Sequence, residues 1–117
     1  MRRRFWLVAL LTSALLSGLL PVAVAAADPP SLPSSMAAVG DSITQAASTG
    51  GSLGADYPQN SWSTGTNATV NSHYLRLLAW NPAISGRNYN RSVSGAKMVD
   101  LNGQMQQVVT LHPDYVT

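Results

Sequence analysis

The sequence predicts an α/β fold, in which a parallel sheet is covered by helices. Three observations predict it. Short apolar or β-branched runs, typical of strands, alternate with segments whose apolar residues recur every three or four positions, typical of helices. Glycine-containing breaks separate two of the strands from the helices that follow them. The order strand, helix, strand, helix, strand predicts parallel strands joined by right-handed crossovers.

The N-terminal segment has the three regions of a secretory signal peptide. Arginines at positions 2–4 precede an apolar run from Phe5 to Leu20, and the small residues of Ala23–Ala27 supply a cleavage region. We expect cleavage after Ala27 and secretion, with the general secretory route favoured over the twin-arginine route. The apolar run is shorter than the roughly 20 residues that cross a bilayer, so no stable membrane anchor is expected.

The net charge of the exported part differs from that of the whole chain. The whole sequence has seven basic and five acidic residues and a pI of about 9.4. Without residues 1–27, the 90 remaining residues carry four basic and five acidic groups, a net charge of −1. Binding of nucleic acid requires clustered basic side chains and is not expected. The sequence contains no cysteine, so packing alone must stabilise the exported part.

The exported part begins with a Pro- and Ser-rich linker over residues 28–35, whose composition excludes a helix or a central strand. The apolar run Met36–Val39 predicts the first strand, which Gly40 ends. A helix is expected from Ile43 until the Gly-Gly pair that opens the next segment. Residues 50–67 are rich in Gly, Ser, Thr and Asn, and predict a long surface loop.

The second half of the chain predicts two helices and two strands. An amphipathic helix is expected over Val70–Leu78, and a second helix over Met98–Val109. Gly86–Val93, between them, is expected to form a strand, and Asp114–Thr117 has the composition of a strand that is beginning. Three strands are too few to cover both faces of a parallel sheet, so we expect an incomplete, truncated domain.

Ser42 is the first candidate for chemistry, because it follows a strand and opens a predicted helix. Ligands of open α/β sheets bind at the carboxyl ends of the strands, where a helix N-terminus offers N–H donors. Gly40 permits the tight turn, and Asp41 supports it. The alternative is structural, since Ser42 and Gln45 match a Ser-x-x-Gln capping box. One carboxylate does not make a metal site.

Gly95 holds the equivalent position after the second strand, in the segment Asn90–Ala96. If the two strands are neighbours, the N–H of Gly95 points into the same crevice as Ser42, and two backbone donors can bind one oxyanion. The alternative for Gly95 is a helix-entry turn that needs a backbone conformation available mainly to glycine.

Together, these two segments resemble the SGNH hydrolases, also called the GDSL esterase and lipase family. Gly40-Asp41-Ser42-Ile43 looks like the family's first block, with isoleucine in place of the usual leucine, and Asn90–Gly95 looks like its second. The resemblance spans residues 36–117. It implies a three-layer α/β/α sandwich with a parallel sheet of the flavodoxin-like type, of which this chain is the N-terminal portion.

The resemblance implies a secreted serine ester hydrolase, with Ser42 as nucleophile and the N–H groups of Ser42 and Gly95 as oxyanion donors. It implies no metal and no organic cofactor. The family's Gly-x-Asn-Asp and Asp-x-x-His segments, which carry a third donor and the general base, do not occur here. Neither His73 nor His112 has the Asp-x-x-His context, so we expect surface or packing roles for both. Without a base, little activity is expected.

Other functions stay open beside the hydrolase. An exported, non-catalytic module could bind carbohydrate or cell wall through an aromatic platform of Tyr57, Trp62 and Trp80, although irregularly spaced aromatics are more often packing residues. A membrane-tethered remnant without activity is a third alternative. For the hydrolase, small-molecule short-chain esters, lipids such as phospholipids, and acylated polysaccharides are all candidate substrates.

Overall fold

The computed structural model describes residues 31–117. The expected signal peptide and the first part of the linker lie outside the described residues. The centre of the fold is a parallel sheet of three short strands, which are β1 (Met36–Ala38), β2 (Asn88–Asn90) and β3 (Tyr115–Val116). The order in the sheet is β2-β1-β3. The prediction of an α/β fold with a parallel sheet is confirmed at this level.

The strand β1 lies in the middle of the sheet, and its residues are fully buried. Met36 is level with Asn88 of β2 on one side and with Tyr115 of β3 on the other. An all-apolar strand that pairs on both sides suits this position, because both faces of a parallel sheet are normally covered. The apolar run that predicted the strand is therefore explained by its central place.

The helix α1 (His73–Trp80) packs on the sheet and supplies the core. Its N-terminus is fixed by Ser72, whose hydroxyl oxygen accepts a hydrogen bond from the N–H of Leu75 at 3.2 Å. This cap makes the helix begin three residues later than the expected Val70. The core cluster consists of Met36, Tyr74 and Ile84, and the partly buried side chains around it are Leu75, Leu77, Leu78 and Tyr115.

The helix α2 (Leu101–Val109) begins after a 3-10 turn over Met98–Asp100. The helix was predicted over Met98–Val109, but its first two residues, Met98 and Val99, lie in the 3-10 turn and stay outside the core. Met98 and Val99 are 83% and 82% exposed. The buried side chains of α2 are Gln104 and Val108. Among residues 31–117, no helix is both long and apolar enough to cross a membrane.

The helix expected from Ile43 is wrong. Residues 41–48 form a series of turns, whose backbone hydrogen bonds join Gln45 to Asp41 and Ala47 to Ser42, one of α-helical and one of wider spacing. Ala46 has a φ of 52°, outside the right-handed helical region. The segment pairs instead with the following loop, because the N–H of Tyr57 donates to the carbonyl of Gln45 at 3.0 Å. These longer-range bonds replace the helical ones.

The surface loop expected over residues 50–67 is only partly at the surface. Its Pro58–Asn60 part forms a 3-10 turn, and the side chains of Ser61, Ser63 and Thr64 are buried. Gly65 is required there, since a β-carbon would lie 2.4 Å from the carbonyl oxygen of Ser61. The buried stretch satisfies its polar groups by pairing with the start of α1, where the N–H of Tyr74 donates to the carbonyl of Ser63 at 2.9 Å.

The described part of the linker is attached to the loop before β3. One carboxylate oxygen of Asp114 accepts hydrogen bonds from the backbone N–H of Ser34 at 2.8 Å and from its hydroxyl at 2.7 Å. The N–H of Asp114 donates to the hydroxyl of Ser35 at 3.1 Å. The Ser34 hydroxyl and N–H lower the pKa of Asp114 below its ordinary value, because they stabilise the ionised form.

Candidate active site

The candidate site lies where β1 and β2 end. The two strands are parallel neighbours, so their carboxyl ends lie at the same edge of the sheet. This edge is named the carboxyl edge below, and the opposite one the amino edge. Ser42 follows the end of β1 by four positions, and Gly95 follows the end of β2 by five. Ser42 and Gly95 were predicted to share a crevice if their strands were neighbours. The two strands are neighbours, so this condition is met.

The backbone pairing of the two segments continues beyond the strands. The N–H of Arg91 donates to the carbonyl of Ala38 at 2.8 Å, and the N–H of Val93 donates to the carbonyl of Gly40 at 3.1 Å. Ser42 and Gly95 each lie two residues beyond the second of these hydrogen bonds. The turn of Ser42 and the turn of Gly95 therefore begin beside the same hydrogen-bonded pair, Gly40 and Val93.

Side chains also join the two segments. The amide of Asn90 donates to the carbonyl of Thr44 at 3.2 Å, and the amide of Gln45 donates to the carbonyl of Ser92 at 2.5 Å. Asn90 also accepts from the N–H of Ser92 at 3.0 Å, which closes a turn at the end of β2. Two amides therefore bridge the candidate nucleophile segment and the candidate oxyanion segment, one in each direction.

The capping box considered for Ser42 does not form. The N–H of Gln45 donates to the carbonyl of Asp41 at 3.1 Å, and its side chain is bonded to Ser92. The turn is instead closed by Asp41, whose carboxylate accepts from the N–H of Ile43 at 2.9 Å. Ser42 is half-buried, and neither its hydroxyl nor its N–H has a hydrogen-bond partner within residues 31–117.

Gly95 lies in an exposed turn with a φ of +83°. The alternative considered for Gly95 was a turn that needs a backbone conformation available mainly to glycine. The structure has such a turn, because the φ of Gly95 lies in the left-handed region. The turn is closed by the N–H of Ala96, which donates to the carbonyl of Val93 at 3.0 Å. The N–H of Gly95 itself is bonded to nothing in the described part of the chain. An oxyanion donor must be free in this way.

Gln104 is a residue of the site that the sequence analysis missed. It is 5% exposed, and its side-chain amide holds the backbone of Gly40 at both polar atoms. The N–H of Gly40 donates to Oε1 at 2.7 Å, and Nε2 donates to the Gly40 carbonyl at 2.8 Å. A signal was present in the sequence, because Gln104 lies three residues after Leu101 and four before Val108, on the inner face of the helix.

Two shallow cavities adjoin the carboxyl edge. The first, of about 240 Å³, is lined by Gly40, Asp41, Ala96, Lys97, Met98, Leu101 and Gln104. The second, of about 410 Å³, is lined by Val93, Ser94, Gly95, Ala96, Asp100, Gly103, Gln104 and Gln107. Asp41 therefore borders one cavity and Gly95 the other, with Gln104 between them, and Ser42 lines neither.

The loop over residues 50–67 reaches the same edge. The hydroxyl of Ser94 donates a hydrogen bond to the carboxylate of Asp56. Asp56 is exposed, and its contact lies directly before Gly95 in the chain. No group of three His, Cys, Asp or Glu side chains that could hold a metal ion occurs in residues 31–117.

Both histidines lie away from the carboxyl edge. Nδ1 of His73 lies 3.0 Å from the hydroxyl of Tyr115, which is level with the first residue of β1, and the ring of Trp62 meets His73 edge-on at 5.1 Å. His112 is exposed and precedes β3. The two histidines thus belong to the amino edge, and the structure does not bring either to Ser42.

The three aromatic residues proposed as a platform are not brought together. The hydroxyl of Tyr57 accepts from the N–H groups of Gly51 and Ser52 at 3.0 and 2.8 Å, within its own loop. Trp62 packs on a histidine, and Trp80 is exposed at the end of α1. No ring contact joins these three side chains within the described range.

Comparisons with protein-family models, with curated proteins and with solved structures gave no match for this chain. The function is therefore argued from the geometry of the carboxyl edge and from the motifs that lie there.

Proposed function

We propose that these residues form part of a secreted serine ester hydrolase of the SGNH type, with Ser42 as the nucleophile. The observation that carries the proposal is the arrangement at the carboxyl edge. The turns of Ser42 and Gly95 follow two adjacent parallel strands and begin beside one hydrogen-bonded pair, and the N–H groups of both residues have no partner within residues 31–117. A free serine hydroxyl beside free backbone donors is the arrangement that acyl transfer requires.

The proposed reaction proceeds in two steps. The Ser42 hydroxyl oxygen attacks the ester carbonyl carbon while its proton passes to a general base, and the alcohol leaves as the acyl-enzyme forms. Water then attacks the acyl-enzyme and releases the acid. In both steps the N–H groups of Ser42 and Gly95 bind the oxyanion. His73 and His112 are not the base in this proposal, because both lie at the amino edge.

The finer fold proposal is a three-layer α/β/α sandwich of the flavodoxin-like type. It is supported by the strand order β2-β1-β3, which is the order in which such doubly wound sheets begin. In these sheets the ligand binds at the carboxyl edge, beside the first strand. The proposed substrates are esters of small molecules, lipids or acylated polysaccharides.

The proposal is tested by substitution of the nucleophile in the protein expressed from its complete reading frame. We expect Ser42→Ala to lower the turnover of 4-nitrophenyl acetate by about 1,000-fold or more, because the acyl-enzyme has no oxygen on which to form. The matched control is Ser52→Ala, a serine in an exposed loop, which we expect to keep the activity of the parent protein.

Covalent labelling gives a second measurement on the same pair of variants. A fluorophosphonate probe followed by peptide mass spectrometry is expected to place the adduct on Ser42 in the parent protein and in Ser52→Ala. Equal labelling and equal turnover in Ser42→Ala would overturn the proposal. In that case, the alternative of an exported carbohydrate-binding module is tested by binding to insoluble polysaccharide.

A further inference from the structure

The side chain of Gln104 makes an unusual contact with the backbone. It is buried on the inner face of α2, and it exchanges two hydrogen bonds with a single residue, Gly40, at 2.7 and 2.8 Å. A planar amide bonded at both ends fixes the distance and also the rotation of the backbone that it meets. The contact spans 64 residues of sequence, so it is a tertiary feature rather than a local turn.

The backbone that Gln104 holds is otherwise weakly determined. Gly40 has a φ of +134°, a conformation that glycine adopts readily because it has no β-carbon, and nothing within the residue itself selects it. Among residues 31–117, its carbonyl has one further donor, the N–H of Val93 at 3.1 Å, and its N–H has Gln104 as its single partner. Without the amide, this N–H would lose its partner, and the backbone after β1 would lose the contact that fixes its orientation.

The contact is close to the proposed nucleophile in the chain. Ser42 lies between two fixed points, the Gly40 backbone held by Gln104 and the N–H of Ile43 held by the Asp41 carboxylate at 2.9 Å. A change in the orientation of the Gly40 peptide turns the peptide units that follow it. Those units carry both the hydroxyl and the N–H of Ser42.

We propose that Gln104 is the positioning residue of this site, whose amide sets the direction of the Ser42 hydroxyl and N–H through the backbone of Gly40. The inference rests on the proposed function and adds to it a residue from outside both motifs. Gln104 touches neither substrate nor reacting atoms in this role. Its loss is therefore expected to lower kcat while KM changes little, because Gln104 is 5% exposed and offers little surface to a ligand in the two cavities that it borders.

Two substitutions separate positioning from simple packing. Gln104→Met keeps the volume of the side chain and removes both hydrogen bonds. Gln104→Glu keeps both only while the introduced carboxyl is protonated, since an ionised carboxylate cannot donate to the Gly40 carbonyl. Burial raises the pKa of a carboxyl group above its usual value of about 4.3, so the second variant regains the native pattern as the pH falls.

The experiment measures kcat per reactive site in the protein expressed from its complete reading frame. The number of sites is counted by titration to completion with a fluorophosphonate, so molecules that fail to fold are left out. We expect Gln104→Met to lower kcat by about 10- to 100-fold, with KM within about threefold of the parent value. The matched control is Gln106→Met, at an exposed position of α2 outside both cavities of the carboxyl edge, with no expected change.

The pH profile of the second variant decides the case even if the first fails to fold. We expect the ratio of kcat for Gln104→Glu to that of the parent protein to rise as the pH is lowered from about 8 to 5. The control Gln106→Glu is expected to give a flat ratio. A flat ratio for Gln104→Glu, or an unchanged kcat per site in Gln104→Met, would overturn the positioning role.

The outcomes for the two proposals are distinguishable. If Ser42→Ala keeps full activity, the proposed hydrolase function fails. If Ser42→Ala abolishes turnover and the Gln104 variants behave like the Gln106 controls, the hydrolase function stands and the positioning role alone is lost.

Discussion

The two edges of the parallel sheet use their polar groups in opposite ways. At the amino edge, polar side chains bond to each other or to nearby backbone, as in the Asp114–Ser34 and His73–Tyr115 contacts. At the carboxyl edge, side chains of the surrounding segments hold the turns, while the N–H groups of Ser42 and Gly95 have no partner in the part of the chain that the structure describes. Satisfied groups stabilise a fold, whereas free donors held in place can bind a ligand.

The largest effect on this comparison is expected from Gly40→Ala. A β-carbon at this position would lie 2.6 Å from the Thr44 hydroxyl oxygen, and the φ of +134° is one that alanine rarely adopts. Thr44 cannot turn away freely, because it is buried and β-branched. We expect a loss of at least about 2 kcal/mol in the free energy of unfolding and a fall of about 100-fold in turnover.

Gly51→Ala is the control for that experiment. A β-carbon at Gly51 meets nothing within 4 Å, and its φ lies outside the left-handed region. Urea unfolding and ester turnover are measured on both variants. If Gly40→Ala is as stable and as active as Gly51→Ala, the tight turn after β1 is not required for the site.

The second largest effect is expected from substitution of two similar glycines, one at each edge of the sheet. Gly86 lies before β2, at the amino edge, with a φ of +70°, and Gly95 lies after β2, at the carboxyl edge, with a φ of +83°. A β-carbon meets nothing within 4 Å at either position. The N–H of Gly86 donates to the hydroxyl of Tyr74 at 3.0 Å, while that of Gly95 is free within the described residues.

We expect Gly86→Ala and Gly95→Ala to destabilise the protein by a similar amount, about 1–2 kcal/mol each, because both force alanine into the left-handed region. Turnover is expected to fall by about 10- to 100-fold in Gly95→Ala alone, since only this N–H is a proposed oxyanion donor. Thermal unfolding and kcat/KM are the measurements. Equal losses of activity in the two variants would contradict the division of roles between the edges.

Much of this organisation was open to prediction from the sequence. The apolar run at 36–39 predicted the first strand, and the alternation of elements predicted that its neighbour would be parallel. Adjacency of the strands was then enough to bring the segments of Ser42 and Gly95 together. These features follow from local patterns and from the few ways in which strands and helices connect.

The features of the fold and of the site that the sequence did not predict depend on contacts between residues that are distant in the chain. The segment after Ile43 has helical propensity, but its backbone pairs with the loop through Ser48 and Ala55 at 2.8 Å, and no local pattern announces that bond. Gln104 interrupts the apolar periodicity of its helix, and such an interruption shows that a polar side chain is buried without showing its partner. The Asp114 contact with Ser34 is a third case, since 80 positions separate the two residues.

The smallest effect is expected at Asp114, and it tests whether the amino edge is purely structural. Hydrogen bonds from Ser34 lower the pKa of Asp114 in the folded protein, so the ionised carboxylate stabilises the fold at pH values above the unfolded pKa of about 3.8. This contribution is lost as the pH falls through the lower folded value. We expect Asp114→Asn to have a slightly lower Tm than the parent protein at pH 6, and the difference to shrink below about pH 4.

The carboxylate is exposed, so solvent screening keeps the difference in Tm small. Ester turnover at pH 7 is expected to be the same in Asp114→Asn and in the parent protein, because the contact lies at the edge opposite Ser42. Asp100→Asn, an exposed carboxylate near the cavities of the carboxyl edge, serves as the comparison. If Asp114→Asn lowers kcat at unchanged Tm, the amino edge takes part in the chemistry, and the contrast between the two edges does not hold.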